Sequence, residues 1–337
     1  MVYEQLVDSF GRPINYLRIS VTDLCNFRCV YCVPPEGLPV LPRCQLLSRS
    51  EIVRLVRIMG RIGVNRIRLT GGEPLLRQDI LEIIRSLKEI ETVKDLSITT
   101  NGSRLTSMVS PLKEAGLDRI NISLDSLDPQ RFREITLSDS YHQVINAASS
   151  ALQAGFPIKL NMVAVKGLTA GEVVRFVELA REHPLEVRFL EFMPLCGQAW
   201  GPDLFMPMAY IRSIVEEHFE LEPELPRGDR VAETFFIRGG KGKVGFIASL
   251  TESFCDQCSR MRLSSDGKLY PCLFSDAQVS VGGLLRENAP ETAIIEAIRR
   301  AARIKPKGNW FQDRPYREGV QNNLELKSSP MIHNLGG

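Results

Sequence analysis

The chain has 337 residues, 44% hydrophobic and 24% charged, which fits a folded globular protein with one large α/β domain or a domain plus an extension. Lys plus Arg is 42 against 40 for Asp plus Glu, so no global field drives the chain to nucleic acid or a membrane surface. No apolar run approaches the ~20 residues of a membrane span, and the opening Met-Val-Tyr-Glu-Gln does not read as a signal peptide; a cytoplasmic location is expected.

Residues 15–22 alternate as a strand and run into Asp-Leu-Cys-Asn-Phe-Arg-Cys-Val-Tyr-Cys. Cys25, Cys29 and Cys32 there form a C-x3-C-x2-C array. Three thiolates can hold three irons of a four-iron cube and leave the fourth iron open. A closed structural zinc site takes four protein ligands instead. Spacing alone also admits a zinc clip that borrows its fourth ligand, or three unrelated thiols.

Residues 48–62 carry helical spacing, with Ser50 and Glu51 near the start. A short strand at 66–70 leads into Gly71-Gly72-Glu73-Pro74. The alternation continues with helices at 80–90, 105–115, 141–154 and 170–182, and strands at 96–100, 119–124, 157–165 and 187–192. Six strands alternating with helices predict a parallel sheet. A full barrel needs eight such units, so six predict an open or partial (βα)6 TIM-like barrel; a doubly wound sheet has the same pattern. In both, the C-terminal ends of the strands form the functional rim.

After Gly197 the character changes. A helix at 208–219, two strands at 235–237 and 244–247 joined by Gly-Gly-Lys-Gly-Lys, and a helix at 293–304 read as an α+β extension. The division is set at 1–220 for the core and 221–337 for the extension. Within the latter, Cys255-x2-Cys258 is followed, after thirteen residues, by Cys272. On spacing alone a zinc knuckle that borrows a ligand such as His218 suits this set. Eight cysteines, most of them in two tight groups, point to reduced metal-binding thiols, with Cys44 and Cys196 as ordinary ones.

Arg260 and Arg262 follow the second pair, and in an extended segment they share a face. Arg18, Arg68, Lys159 and Arg188 lie on strands with a parity that can point inward. A chain of balanced charge that collects cations on one rim predicts an anionic, triphosphate-bearing substrate.

With Tyr31 before its last cysteine, the first array resembles that of the radical S-adenosylmethionine (SAM) superfamily, and Gly71-Gly72-Glu73-Pro74 resembles its glycine motif. The C-x2-C-x-Arg-x-Arg segment, its distant third cysteine and the terminal Gly336-Gly337 extend the resemblance, over nearly the whole chain, to the GTP 3′,8-cyclase family of molybdenum cofactor biosynthesis. Two departures stand out: Arg66 where lysine is common, and Leu335 where isoleucine often precedes the glycines.

The resemblance implies a radical SAM partial barrel whose extension carries a second iron–sulfur cluster. It implies two [4Fe–4S] clusters, one on Cys25, Cys29 and Cys32 and one on Cys255, Cys258 and Cys272. SAM would meet Tyr31, Gly72, Ser123 and Met193. GTP would meet Arg18, Arg68, Lys159, Arg188, Arg260 and Arg262, with Thr99 near the shared pocket. The tail, Gly336 and Gly337, would thread into the site in support of catalysis. The implied reaction cleaves SAM, takes H3′ of GTP with the resulting 5′-deoxyadenosyl radical, and closes the ribose radical onto C8 of guanine. Implied partners are GTP, an external one-electron donor, a downstream cyclic pyranopterin monophosphate synthase that takes the product, and a second copy in a homodimer; neither nucleic acid nor membrane is implied. Two other readings share some of these residues. One is a radical SAM enzyme that modifies a peptide, which calls for a peptide groove and more C-terminal cysteines. The other is a non-catalytic iron–sulfur or zinc protein, which leaves the glycine motif and the cations unexplained.

Overall fold

Polar and apolar residues alternate along six strands, and the alternation decides where the interior lies. The computed structural model describes residues 3–32, 40–193, 202–225 and 231–308. Cys196, Gly336 and Gly337 fall outside the described residues. Strands β1 (Tyr16–Ser20), β2 (Arg66–Thr70), β3 (Asp95–Thr100), β4 (Arg119–Ser123), β5 (Ile158–Ala164) and β6 (Glu186–Glu191) pair in chain order, each pair parallel.

Successive strand residues point to opposite faces. Leu17, Ile19, Ile67, Leu69, Ile120, Ile122, Val187 and Phe189 are buried in the apolar core. Their alternates, among them Tyr16, Arg18, Arg66, Arg68, Lys159 and Arg188, line a cavity instead. The apolar face therefore belongs to the helices and the polar face to the inside of the curl. That one cavity is lined from β1 through β6 shows that the sheet wraps around it.

The helices cover the outer face: α1 (Arg49–Arg61), α2 (Ile80–Lys88), α3 (Val109–Glu114), α4 (Pro129–Thr136), α5 (Tyr141–Gln153) and α6 (Val173–Glu182). Helix α1 starts at Ser48, whose side chain accepts from Glu51 N–H while Glu51 reaches back to the Ser48 N–H. It buries Ile52, Leu55, Val56 and Met59 at helical spacing. Each such side chain is worth about 1.5–3 kcal/mol when fully buried.

Two expected helices begin later than their periodicity predicts. Residues 106–108 form a 3₁₀ turn before α3, because Pro111 has no N–H and fits only the first turn of an α-helix. Residues 170–172 likewise form a 3₁₀ turn before α6, with the Glu172 carboxylate accepting from Ser126 Oγ. Helix α4 was not anticipated. Its start signal is nevertheless ordinary: the Asp128 side chain accepts from Arg131 N–H and Pro129 takes the first position.

Beyond residue 220 the strands join both edges of the same sheet. On one side β9 (Lys243–Ile247) pairs parallel to β6, then β8 (Glu233–Ile237) and β7 (Leu221–Pro223) follow antiparallel. On the other, β10 (Arg260–Leu263) pairs parallel to β1, then β11 (Lys268–Tyr270) and β12 (Val279–Ser280) follow antiparallel. The expected hairpin is β8 and β9. Helix α7 (Met208–His218) packs near β6 and β9, and α8 (Gly282–Arg286) and α9 (Glu291–Arg303) pack beside α1. Among the described residues no helix is long and apolar enough to cross a membrane.

Candidate active site

The cavity inside the curl has a volume of about 860 Å³, at the upper end of what ligand sites occupy. It has two poles. Cys25, Cys29, Cys32, Gly72, Ser123 and Met193 line it at the C-terminal ends of the strands. Arg18, Arg68, Lys159 and Arg188 line it from the strands' own length, two or three residues in. The cations therefore do not share the thiol rim, as one functional rim would have them; they form a layer deeper inside. Tyr31 and Thr99 line the same space.

The first thiol loop is fastened from three sides. Arg28 N–H donates to Thr136 O at 3.1 Å and Val30 N–H to Ile135 O at 2.9 Å, so the unanticipated α4 carries the loop. Gly72 N–H donates to Thr22 O at 2.8 Å and Glu73 N–H to Leu24 O at 2.7 Å. This approach requires glycine: a Cβ on Gly72 would stand 2.2 Å from Leu24 O. Glu73 ties the turn to β3, accepting from Thr100 Oγ1 at 2.7 Å and Asn101 N–H at 2.6 Å. Burial still raises its carboxyl to about 7. The Tyr31 hydroxyl donates to Asp125, which also accepts from Val163 N–H. Burial lifts Asp125 to about 6.

Burial raises all three thiols of this loop, Cys32 to about 12, and the mutual repulsion of their thiolates adds to it at Cys29 and Cys32. A donor set that opposes its own ionisation suits a cationic metal cluster, whose charge makes the thiolates. The three thiols are free and share one wall. Among the described residues no group of three or more His, Cys, Asp or Glu is gathered to hold a single metal ion. Three thiols on one wall are the number an iron–sulfur cube takes when one iron is left open to a ligand.

The second set flanks β10. Cys258 N–H donates to Cys255 O at 3.1 Å, and Cys272 lies just past β11, where its sulfur accepts from Phe274 N–H. The three thiols are free and partly buried, and the thiolates of Cys255 and Cys258 both act on Cys272. Burial pushes the Cys258 thiol up, but Arg260 and Lys305 outweigh it and hold it at about 6. Arg260 also lies 4.7 Å from the centre of the Phe254 ring. Lys305 is pinned by Arg260 O at 2.7 Å and Pro271 O at 2.6 Å. His218 does not complete this set: it ends α7, near β7, at the opposite edge of the sheet from β10.

The cation layer runs across the register. Arg18 pairs with Arg68 on β2 and with Arg262 on β10, so three guanidiniums stand abreast. Burial, then Arg262, brings Arg18 down to about 9; burial takes Arg68 well below its usual range and Arg262 to about 10. Three acidic residues answer them. Asp95 accepts from Arg119 Nε at 2.8 Å and lies 3.8 Å from Arg66 Nε. Glu186 holds Lys159 at 2.6 Å and also Arg188. Glu224 holds Lys243 at 3.0 Å. Arg68 Nε and Thr99 Oγ1 are buried without a hydrogen-bond partner among the described residues. Desolvated cations and unsatisfied polar atoms on one wall are chemistry for an anion. Asp95, Arg119, Asp125 and Glu186 escaped the sequence reading, although the parity of Asp95, Arg119 and Glu186 on their strands was available.

Residues 19–180 match the Radical SAM superfamily, and residues 185–311 match Molybdenum Cofactor Synthesis C. The chain is 42% identical over 341 residues to the mitochondrial GTP 3′,8-cyclase of Arabidopsis thaliana, covering 100% of this chain and 84% of that protein. It is 42% identical over 315 residues to the GTP 3′,8-cyclase of Moorella thermoacetica, covering 91% and 97%. Molybdenum cofactor biosynthesis protein 1 of Homo sapiens is 38% identical over 332 residues, and the match covers 97% of this chain but 50% of the human protein. Among solved structures, Streptococcus suis SuiB bound to the precursor peptide SuiA superposes with a TM-score of 0.60 at 17% identity, over 96% of this chain and 71% of SuiB, a likeness of fold.

Proposed function

The chain belongs to the GTP 3′,8-cyclase family of radical SAM proteins, and from that premise we propose that it joins C3′ of the ribose of GTP to C8 of the guanine, giving 3′,8-cyclo-7,8-dihydro-GTP, the first step of molybdopterin biosynthesis. The observation that carries this reading is the single cavity with thiols and the glycine turn at one pole and desolvated cations at the other. When bound, a [4Fe–4S] cluster on Cys25, Cys29 and Cys32 together with SAM supplies a carbon radical able to take the ribose hydrogen.

The protein's own task is placement. Tyr31, Gly72, Ser123 and Met193 hold SAM against the thiol pole. Arg18, Arg68, Lys159, Arg188 and Arg262 hold the triphosphate, with Thr99 beside it. Cys255, Cys258 and Cys272 hold the second cluster, with Arg260 beside it, at the guanine end. Fixing a substrate at both ends chooses which C–H faces the radical, and such orientation is worth up to ~7–11 kcal/mol in well-aligned systems. The Gly336-Gly337 tail, an external one-electron donor, transfer of product to a cyclic pyranopterin monophosphate synthase, a homodimer and a cytoplasmic location belong to the same reading. So does the division between residues 1–220, the core that carries the first cluster, and 221–337, the extension that carries the second cluster and the Gly-Gly tail.

One anaerobic assay tests it. The protein is reconstituted with iron and sulfide, given SAM, dithionite and GTP, and its products are read by mass spectrometry. 5′-Deoxyadenosine together with a cyclised GTP product supports the reading. 5′-Deoxyadenosine with intact GTP keeps the radical chemistry and overturns the substrate.

A further inference from the structure

Tyr16 stands in the cation layer, and nothing above uses it. It opens β1, and its register partners are Arg260 on β10 and Arg66 on β2. It is 3% exposed, and it borders the cavity. The guanidinium carbons of Arg66 and Arg68 lie 4.6 and 5.5 Å from its ring centre. Its hydroxyl is buried, with no hydrogen-bond partner of good geometry among the described residues. The charged groups that face it are Arg18 on its own strand, Arg66 and Arg68 on β2, Arg119 on β4, and Arg260 and Arg262 on β10. Guanidiniums donate and never accept. Asp95 on β3, the register partner of Arg66, is taken by Arg119 and Arg66. A buried phenol ordinarily finds an acceptor; here the charged groups that face the hydroxyl among the described residues are donors, and Arg18 and Arg119 point N–H groups at its oxygen.

We propose that Tyr16 is a further substrate-binding residue whose hydroxyl donates a hydrogen bond to an oxygen of the bound polyphosphate. This rests on reading the cation layer as the phosphate site. The same cations set the residue's ionisation without a ligand: burial pushes the phenol up, but Arg68, Arg18, Arg119 and Arg66 outweigh it and bring it to about 8. A polyphosphate reverses that field, because its oxygens accept from the neutral O–H and repel a phenolate. Binding above that pH is then accompanied by proton uptake at Tyr16, and affinity falls as pH rises through it.

The test is calorimetric titration of the anaerobically reconstituted protein with GTP and, separately, with inorganic triphosphate. It is run at pH 7 and pH 8.5, in two buffers of different ionisation enthalpy that count protons. Tyr16→Phe keeps the ring and its cation contacts and removes only the hydroxyl. Lys159 and Arg18 also gain protons in that range, so the readout is wild type minus variant. The expected result is a roughly ten- to hundredfold weaker binding of both ligands at pH 7 in the variant, the scale of one charge-assisted hydrogen bond. Proton uptake at pH 8.5 is also expected to be larger in wild type. Equal affinity or equal uptake in the two proteins overturns the proposal. If triphosphate shows the Tyr16 effect while GTP does not bind, the inference stands and the nucleotide reading fails. If GTP binds tightly without a Tyr16 effect, the nucleotide reading stands and this one fails.

Discussion

Arg18 and Arg262 sit side by side in register on adjacent parallel strands, two guanidiniums where a sheet ordinarily puts opposite charges or apolar neighbours. Burial, and the repulsion of neighbouring cations with it, brings them down to about 9 and about 10. An anion bound against this layer adds an opposite charge to it. Arg262→Leu removes one of these guanidiniums, and the variant is expected to gain less melting temperature than wild type when GTP is added. Thermal scans with and without GTP check it. An equal gain in the two proteins shows that Arg262 does not meet the triphosphate.

Glu186 does the opposite work. Its carboxylate faces Lys159 and Arg188, which overcome its burial and hold it at about 2, against an ordinary 4.5. A carboxyl held low stabilises the fold fully above its ordinary value and loses that contribution as pH falls from about 4.5 toward 2. Glu186→Gln is expected to cost about 3–5 kcal/mol, because it leaves two cations near each other without their counter-charge. Urea melts at pH 5 and pH 3 should show a smaller loss of stability on acidification in the variant. A bound triphosphate replaces the missing charge, so GTP should restore more stability to the variant than it adds to wild type.

The Gly72 contact makes a prediction about iron rather than about folding alone. A methyl group there meets Leu24 O at 2.2 Å and Asp23 O at 2.8 Å, both on the backbone that leads into Cys25. Backbone cannot swing aside as a side chain can, so the thiol loop has to move. Gly72→Ala is expected to cost about 1–3 kcal/mol from overpacking. It is also expected to lower iron bound by the first cysteine set while leaving the second set loaded. Iron and sulfide analysis of the variant, alone and combined with Cys258→Ala, separates the two. Full iron occupancy in Gly72→Ala shows that the loop tolerates the shift.

Much of this was legible in the residues. The period of two along 15–22, 66–70, 157–165 and 187–192 gives both the strands and the inward cations Arg18, Arg68, Lys159 and Arg188. The spacing of Cys25, Cys29 and Cys32 gives a thiol array after the first strand. What was not legible is long-range. Arg260 and Arg262 read as a short extended piece, and nothing local says that it pairs parallel to β1, some 240 residues earlier. Strand pairing at that separation depends on edges left open by the rest of the sheet. The acids were hidden for a related reason. Asp95 meets Arg119 and Glu186 meets Lys159 only because neighbouring strands bring them together, while Arg188 lies two residues along Glu186's own strand. Helix α4 was missed although its Asp128-Pro129 start is local, because the stretch has few apolar residues to show a period.

Arg260 offers the last test, because its position gives it two separable duties. Its guanidinium and Lys305 together hold the Cys258 thiol at about 6 against the pull of burial, so the thiol is largely thiolate at neutral pH. Thiolate is the form that reacts and that takes metal. Arg260→Ala removes the larger of the two cationic influences, and the Cys258 thiol is then expected to titrate toward the ordinary thiol range. Alkylation of the iron-free protein as a function of pH, read at Cys258 by peptide mass spectrometry, tests this: the wild-type rate should be half-maximal near pH 6, and the variant should still be rising at pH 7. Arg260→Lys keeps a charge near the sulfur and should recover much of the reactivity. If Arg260 serves the second thiol set and the nucleotide rather than SAM, reconstituted Arg260→Ala binds GTP more weakly yet still cleaves SAM. Unchanged alkylation with weakened GTP binding assigns the residue to the substrate alone. Altered alkylation with unchanged GTP affinity assigns it to the thiols alone.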